Sequence, residues 1–134
     1  MKINVLDGAI MFEGGLIRPM VDRERFLATD LAKAAEVKLV NNECCHITIA
    51  PEIGVSAKLL YRGNRLHQVY LLLKMDSDAT NEWTAELELR RKRLHDAWLG
   101  KELGEPPYQY SWGNIVSEFD QKACVSEIIL TYAD

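Results

Sequence analysis

The stretch CHITIAPEIGVSAKLLYRGNRLHQVYLLL, residues 45–73, decides the fold, because apolar and polar side chains alternate along three successive runs. Such alternation is typical of a β-strand with one face on a core. The turn at 62–65 contains Gly and Asn, which tolerate a positive φ. Residues 53–74 are therefore predicted to form a β-hairpin, preceded by a strand over 45–51. The alternating apolar positions of the first two runs are Cys45, Ile47, Ile49, Ile53, Val55, Ala57, Leu59 and Tyr61.

The third run, residues 66–73, is apolar on both sides. Val69, Leu71 and Leu73 point one way, and Tyr70 and Leu72 point the other way. A strand that is apolar on both faces is typical of the interior of a sheet. We therefore expect this strand to lie in the middle of its sheet.

A first helix is predicted over 22–36. Asp22 is a suitable N-cap, because its carboxylate can accept hydrogen bonds from the free N–H groups of the first turn. Apolar residues then recur at helical spacing. These residues are Leu27, Leu31, Ala34 and Ala35. The pair Thr29-Asp30 is a position where this helix could kink or restart.

A second, longer helix is predicted to follow a polar loop over 76–81 and to run to Leu103. Its acids come early and its bases late, which complements the helix dipole. Apolar side chains recur at helical spacing, and we expect this stripe to pack on the sheet at the centre of the core. The stripe consists of Trp83, Leu87, Leu94 and Trp98.

Further strands are predicted at both ends of the chain. One or two short strands precede the first helix, and a hairpin over 108–132 follows the second helix. The resulting order is β(β)-α-β-β-β-α-β-β. We predict one α+β domain over 1–134, an antiparallel sheet of about five or six strands packed by two helices.

The composition excludes several classes of protein. The chain has 134 residues, with 48% hydrophobic and 27% charged residues, so it is neither disordered nor a membrane protein. Its net charge is −4, with 16 basic and 20 acidic residues, which argues against nucleic-acid binding. The basic run 90–93 follows Glu86 and Glu88 at i,i+4 spacing, which favours a solvated helix face with ion pairs over a phosphate site. Asp7 interrupts any signal-peptide-like apolar stretch, so a cytoplasmic location is expected.

The cysteines and histidines make no metal motif. Three cysteines, with Cys44 and Cys45 adjacent, are not a disulfide framework and suit a reducing compartment. No Cys-x-x-Cys or His-x-x-x-His spacing occurs, so neither a metal nor another cofactor is predicted. If the protein is instead a small-ligand binder or small enzyme, the candidates for a pocket between helix and sheet are Cys44, His46, His67 and Tyr70.

The segment 106–120 is the most distinctive in the chain, since aromatic residues are concentrated in it. Aromatic side chains are enriched at binding surfaces and also fill the space between a helix and a sheet. Both interpretations stay open at this point. The candidate partner surface consists of Tyr108, Tyr110, Trp112, Glu118 and Asp120.

The pattern Trp112-Gly113-x-Ile115-x-Ser117-x-Phe119-Asp120, followed by Ile128-Ile129-x-x-Tyr132, resembles the C-terminal hairpin of small uncharacterised bacterial α+β proteins. Proteins of this type are often immunity proteins, which inhibit a toxin. The resemblance supplies no catalytic residues. Together with the lack of a catalytic constellation, the acidic charge and the aromatic strands, it favours a non-enzymatic protein-binding module. The acidic balance favours a basic partner. A homodimer is compatible with the sequence, and so is a phage or structural-assembly component.

Overall fold

The computed structural model describes residues 1–76, 78 and 83–134. Within them the chain forms a small and a large sheet and two α-helices, with a 3₁₀ turn at Asp30–Ala32. The predicted loop over 76–81 falls mostly outside the described residues. The helices are α1 (Arg23–Leu27) and α2 (Ala85–Leu103). The strands are β1 (Lys2–Ile3), β2 (Ile10–Phe12), β3 (Gly15–Ile17), β4 (Glu36–Leu39), β5 (Cys44–Glu52), β6 (Val55–Arg62), β7 (Arg65–Leu73), β8 (Tyr108–Tyr110), β9 (Gly113–Asp120) and β10 (Val125–Tyr132).

The large sheet has seven antiparallel strands in the order β4-β5-β6-β7-β10-β9-β8. The predicted hairpin over 53–74 is confirmed as β6 and β7, joined at Gly63, whose φ is 59°. The central position of β7 is also confirmed, since three strands lie on each side of it. Ile53, which was predicted to be on the apolar face, instead lies in the turn before β6 and is 98% exposed.

The predicted count of five or six strands is too low. The small sheet β1-β2-β3 contains a third strand, at Gly15–Ile17, which a two-residue hairpin turn at Glu13-Gly14 joins to β2. The large sheet gains β4 at one edge, within and just beyond the segment predicted as a helix. The α+β class with two helices and an antiparallel sheet is confirmed.

The predicted helix over 22–36 is much shorter in the structure. Its N-cap is confirmed, since Asp22 Oδ1 accepts a hydrogen bond from Arg25 N at 2.8 Å. The helix ends at Leu27, and Thr29 Oγ1 donates to the carbonyl of Phe26 at 2.6 Å. Thr side chains that bond to nearby backbone compete with helical propagation. The chain then forms one 3₁₀ turn and pairs with β5 as an edge strand.

The core lies on one face of the large sheet. Alternate residues of β5, β6, β7 and β10 point to this face, as the pattern of residues 45–73 predicted. The small sheet, α1 and α2 supply its other side, with Ile10, Phe26 and Leu99 in the same cluster. The opposite face of the large sheet carries no helix or strand from the described residues, and we call it the open face.

The apolar stripe predicted for α2 is wrong. Trp83 is 60% exposed and Leu94 is 39% exposed, while Trp98 only packs against the margin of the core. The residues that α2 buries are Glu88, Arg91, His95 and Leu99. These four residues also follow helical spacing, so the helix is rotated relative to the prediction and buries a mainly polar face.

Backbone groups at the end of the β7–β10 ladder explain this rotation. Pairing stops at Ile128 and Leu71, and the next pair that would exchange backbone hydrogen bonds on this register is Ser126 and Leu73. Side chains of α2 take the place of the missing ladder bonds. His95 Nε2 accepts from Leu73 N at 3.1 Å, Arg91 donates to the Leu73 carbonyl, and Glu88 Oε1 accepts from Ser126 N at 3.0 Å. Buried backbone groups without partners are costly, which favours the polar face of the helix here.

The basic run 90–93 is only partly the solvated face that was predicted. The Arg91 side chain is 5% exposed and lies 3.1 Å from Glu88 Oε1, and it also pairs with Asp78. Lys92 pairs with Asp96 at 2.8 Å rather than with Glu88. Hydrogen bonds from Arg91 hold the pKa of the Asp78 carboxyl below its usual range. No helix in the described part of the chain is long and apolar enough to span a bilayer.

Candidate binding surfaces

The structure separates the five residues of the predicted partner surface. Tyr108 is buried, and its hydroxyl donates to the Gly104 carbonyl at 2.8 Å. Tyr110 is half-buried on the core side of the sheet, opposite Gly113. Glu118 and Asp120 are exposed on the open face, near the far end of β9. The aromatic and acidic members therefore lie on opposite faces and do not form one continuous surface.

Trp112 holds the small sheet against the large one. Its ring stacks on Tyr110 with centroids 5.1 Å apart and tilts against Tyr132 at 5.5 Å. Its Nε1 donates to the Val5 carbonyl at 2.9 Å. A Cβ on Gly8 would lie 2.6 Å from the Trp112 ring, so only glycine fits under it. The aromatic residues of this hairpin thus have a structural role, and Trp112 is held rigidly by its neighbours.

The residues proposed for a pocket between helix and sheet lie elsewhere. Cys44, His46 and Tyr70 are half-buried on the open face, while α2 packs on the other face. His67 lies at the irregularity in the β6–β7 register. Cys45 is 1% exposed and belongs to the core. The structure therefore does not bring these four candidates together beneath a helix.

The open face has an apolar centre. A cross-strand row runs over four strands from Lys58 through Tyr70 and Ile129 to Val116. Lys58 Nζ lies 4.7 Å from the centre of the Tyr70 ring. Leu60 and Leu72 flank the row and are half-buried, although nothing in the described part of the chain packs over them.

Carboxylates border this centre on the β9–β10 side. Glu118 and Glu127 are directly opposite each other on neighbouring strands. Burial raises the pKa of Glu127 above its ordinary value of 4.5, and the charges of Asp120 and Glu118 raise it further. Lys58 acts in the opposite direction and lowers it. Like charges directly opposite each other destabilise a sheet, so this pair has a cost for the isolated protein.

A separate cleft lies beside the small sheet and has a volume of about 850 Å³. Its apolar wall includes Trp112, Tyr132 and Leu66, and its basic side chains are Lys2, Arg18 and Arg65. Arg65 donates to the Ala133 carbonyl at 2.7 Å. The sequence pointed to Trp112 but not to the cleft, because the cleft joins residues from both ends of the chain and from its middle.

Among residues 1–76, 78 and 83–134, no three His, Cys, Asp or Glu side chains are grouped closely enough to hold a metal ion. The three histidines are in separate places: His46 is on β5, His67 is on β7, and His95 is on the buried face of α2. Comparison with protein-family models, with curated proteins and with solved structures finds no match for this chain.

Proposed function

We propose that this protein is a non-enzymatic protein-binding module of the immunity type, whose open sheet face binds a partner with a basic surface. The observation that carries the proposal is the pair Glu118 and Glu127, which are opposite each other beside an apolar centre. No helix or strand of the described part of the chain packs over this centre. Sequences depart from locally favourable choices mainly at functional sites.

The chemistry of the face favours a basic partner over a neutral one. A lysine or arginine placed between Glu118 and Glu127 relieves their repulsion and forms charge-assisted hydrogen bonds. Leu72, which is half-buried, and Val116, which is 42% exposed, offer apolar area next to these charges. An apolar centre with a charged border is the usual anatomy of a protein interface. The net charge of −4 also favours encounter with a cationic protein.

The test is capture from the native host with matched charge reversals. One variant carries Glu118→Lys and Asp120→Lys on the open face, and the control carries Glu24→Lys and Glu102→Lys away from it. All four residues are exposed and both variants change the net charge equally. The captured protein is then purified and titrated into each variant, at low and high salt.

The proposal predicts that the captured partner is basic and binds the wild type and the control variant with equal affinity. Its affinity for the open-face variant should be at least about tenfold lower, and its affinity for the wild type should fall at high salt. A gene for this partner next to the gene for this chain would support the immunity-type role. Equal binding by both variants overturns the proposal. A wild-type homodimer that the open-face variant converts to a monomer also overturns it, because a second copy then occupies the face.

A further inference from the structure

We propose that the cleft beside the small sheet is a binding site for a small organic anion with an apolar body. This inference is independent of the proposed function, since the cleft and the open face share none of the residues that carry either proposal. The cleft volume of about 850 Å³ lies within the usual range for small-molecule sites.

The apolar side of the cleft is preorganised. Trp112 is fixed between two tyrosine rings and by its bond to Val5, and Tyr132 donates its hydroxyl to the Gly8 carbonyl at 2.8 Å. The lining also includes Met11 and Met20, which are 57% and 92% exposed. Methionine side chains adapt to different ligand shapes, whereas a fixed indole provides area at little entropic cost.

Two guanidinium groups from neighbouring segments determine the charge of the ligand. Arg18 precedes α1, and Arg65 begins β7; a bond from Arg23 N to the Asn64 carbonyl at 3.2 Å joins these two segments. Arginine presents five donors in a planar fork that matches carboxylate, sulfonate and phosphate groups. Lys2 adds a third cation at the same cleft.

Two aspartates, Asp7 and Asp134, also line the cleft, against three cations. The Asp7 carboxylate accepts a hydrogen bond from Ala9 N at 2.9 Å within its own turn. Asp134 lies 3.7 Å from Arg65 and is 91% exposed, so a ligand anion competes with it for that guanidinium. Replacing the Asp134 carboxylate should therefore strengthen binding of an anion, whereas replacing the arginines should weaken it.

The experiment uses two fluorescent probes on the full chain. 1-Anilinonaphthalene-8-sulfonate is an apolar aromatic anion, and N-phenyl-1-naphthylamine is its neutral counterpart. The variants are Arg18→Gln with Arg65→Gln, the control Arg93→Gln on the exposed side of α2, and Asp134→Asn. Circular dichroism and a denaturant melt of each variant establish that it is folded.

The wild type should bind one molecule of the sulfonate, at least about tenfold more tightly than the neutral probe, which corresponds to about 1.4 kcal/mol. The double arginine variant should lose this preference, Arg93→Gln should keep it, and Asp134→Asn should increase the sulfonate affinity. Equal affinity for both probes, binding of several molecules, or an unchanged preference in the folded double variant overturns the proposal. Two more variants test whether the sulfonate binds the open face instead: Leu72→Ala alters that face, and Leu16→Trp is designed to fill the cleft. Loss of sulfonate binding in Leu72→Ala but not in Leu16→Trp also overturns the proposal.

Discussion

Acid sensitivity of the buried imidazole of His95 is the sharpest consequence of the fold. This side chain is fully buried, and its Nε2 accepts a hydrogen bond from Leu73 N, so the ring is neutral with its proton on Nδ1. Nδ1 has no hydrogen-bond partner among the described residues. Burial lowers the pKa of His95 from 6.5 to about 4; Arg91 and Lys92 lower it as well, while Asp96 and Glu88 raise it.

The direction of the pH dependence follows from proton binding. Between pH 6.5 and about 4 the unfolded chain holds a proton on His95 that the folded protein does not hold. The contribution of neutral His95 to the free energy of unfolding is therefore fully present above pH 6.5 and is lost as the pH falls towards 4. At about 1.36 kcal/mol per pH unit, this interval is worth about 3 kcal/mol. That is a substantial part of the roughly 5–15 kcal/mol typical of a domain.

The assay is urea unfolding of the wild type and of His95→Gln at a series of pH values from 7 to 4. The glutamine oxygen can still accept from Leu73 N, but glutamine does not titrate. We expect the wild type to lose about 3 kcal/mol more than the variant over this range. His67→Gln, a substitution at a half-buried site, serves as the control. Burial lowers the pKa of His67 as well, but His67 is much less buried than His95, so this variant should depart from the wild type much less than His95→Gln does. A difference between wild type and His95→Gln that does not change with pH, or a His95 resonance that titrates near pH 6.5, would refute the reasoning.

Three further predictions concern stability, each measured by denaturant unfolding. Leu99→Ala should cost about 2–5 kcal/mol because Leu99 is on the buried face of α2, whereas Trp83→Ala should change stability by less than about 0.5 kcal/mol; the reverse order would restore the rejected stripe. Glu127→Gln should stabilise the isolated protein by about 0.5 kcal/mol at pH 7. Because the pKa of Glu127 is raised, ionisation of its carboxyl lowers the stability of the fold as the pH rises above 4.5. The stability gained by Glu127→Gln should therefore vanish near pH 4. A gain that persists at pH 4 counts against repulsion from Glu118. Gly63→Ala should cost about 1 kcal/mol, and Gly113→Ala should cost far more. A Cβ at position 113 would collide with the Thr131 carbonyl oxygen, whereas nothing lies within 4 Å of a Cβ at position 63. Similar costs for the two variants would contradict this packing.

The sequence identifies strands more directly than functional surfaces, as two residues of the C-terminal hairpin show. The sequence placed Tyr110 and Glu118 in one distinctive segment and so in one candidate surface. In the structure they lie on opposite faces of the sheet, with Gly113 and the tight turn before it between them. Proximity in sequence says little about a shared surface, because alternate residues of a strand point in opposite directions. The cleft depends on contacts between Val5 and Trp112, which no local pattern specifies.

The local pattern of the sequence was sufficient to determine β5, β6 and β7, the turn at Gly63, the Asp22 cap and the central place of β7. These features depend on side-chain periodicity and on backbone preferences of single residues, which act over a few positions. Only the tertiary structure decided which face of α2 is buried. Periodicity favoured the side with Trp83 and Trp98, but the open end of the β7–β10 ladder left Leu73 and Ser126 in need of hydrogen-bond partners. Glu88, Arg91 and His95 meet that need, and because unpaired buried backbone groups cost more than an exposed indole, the helix turns its polar side to the sheet.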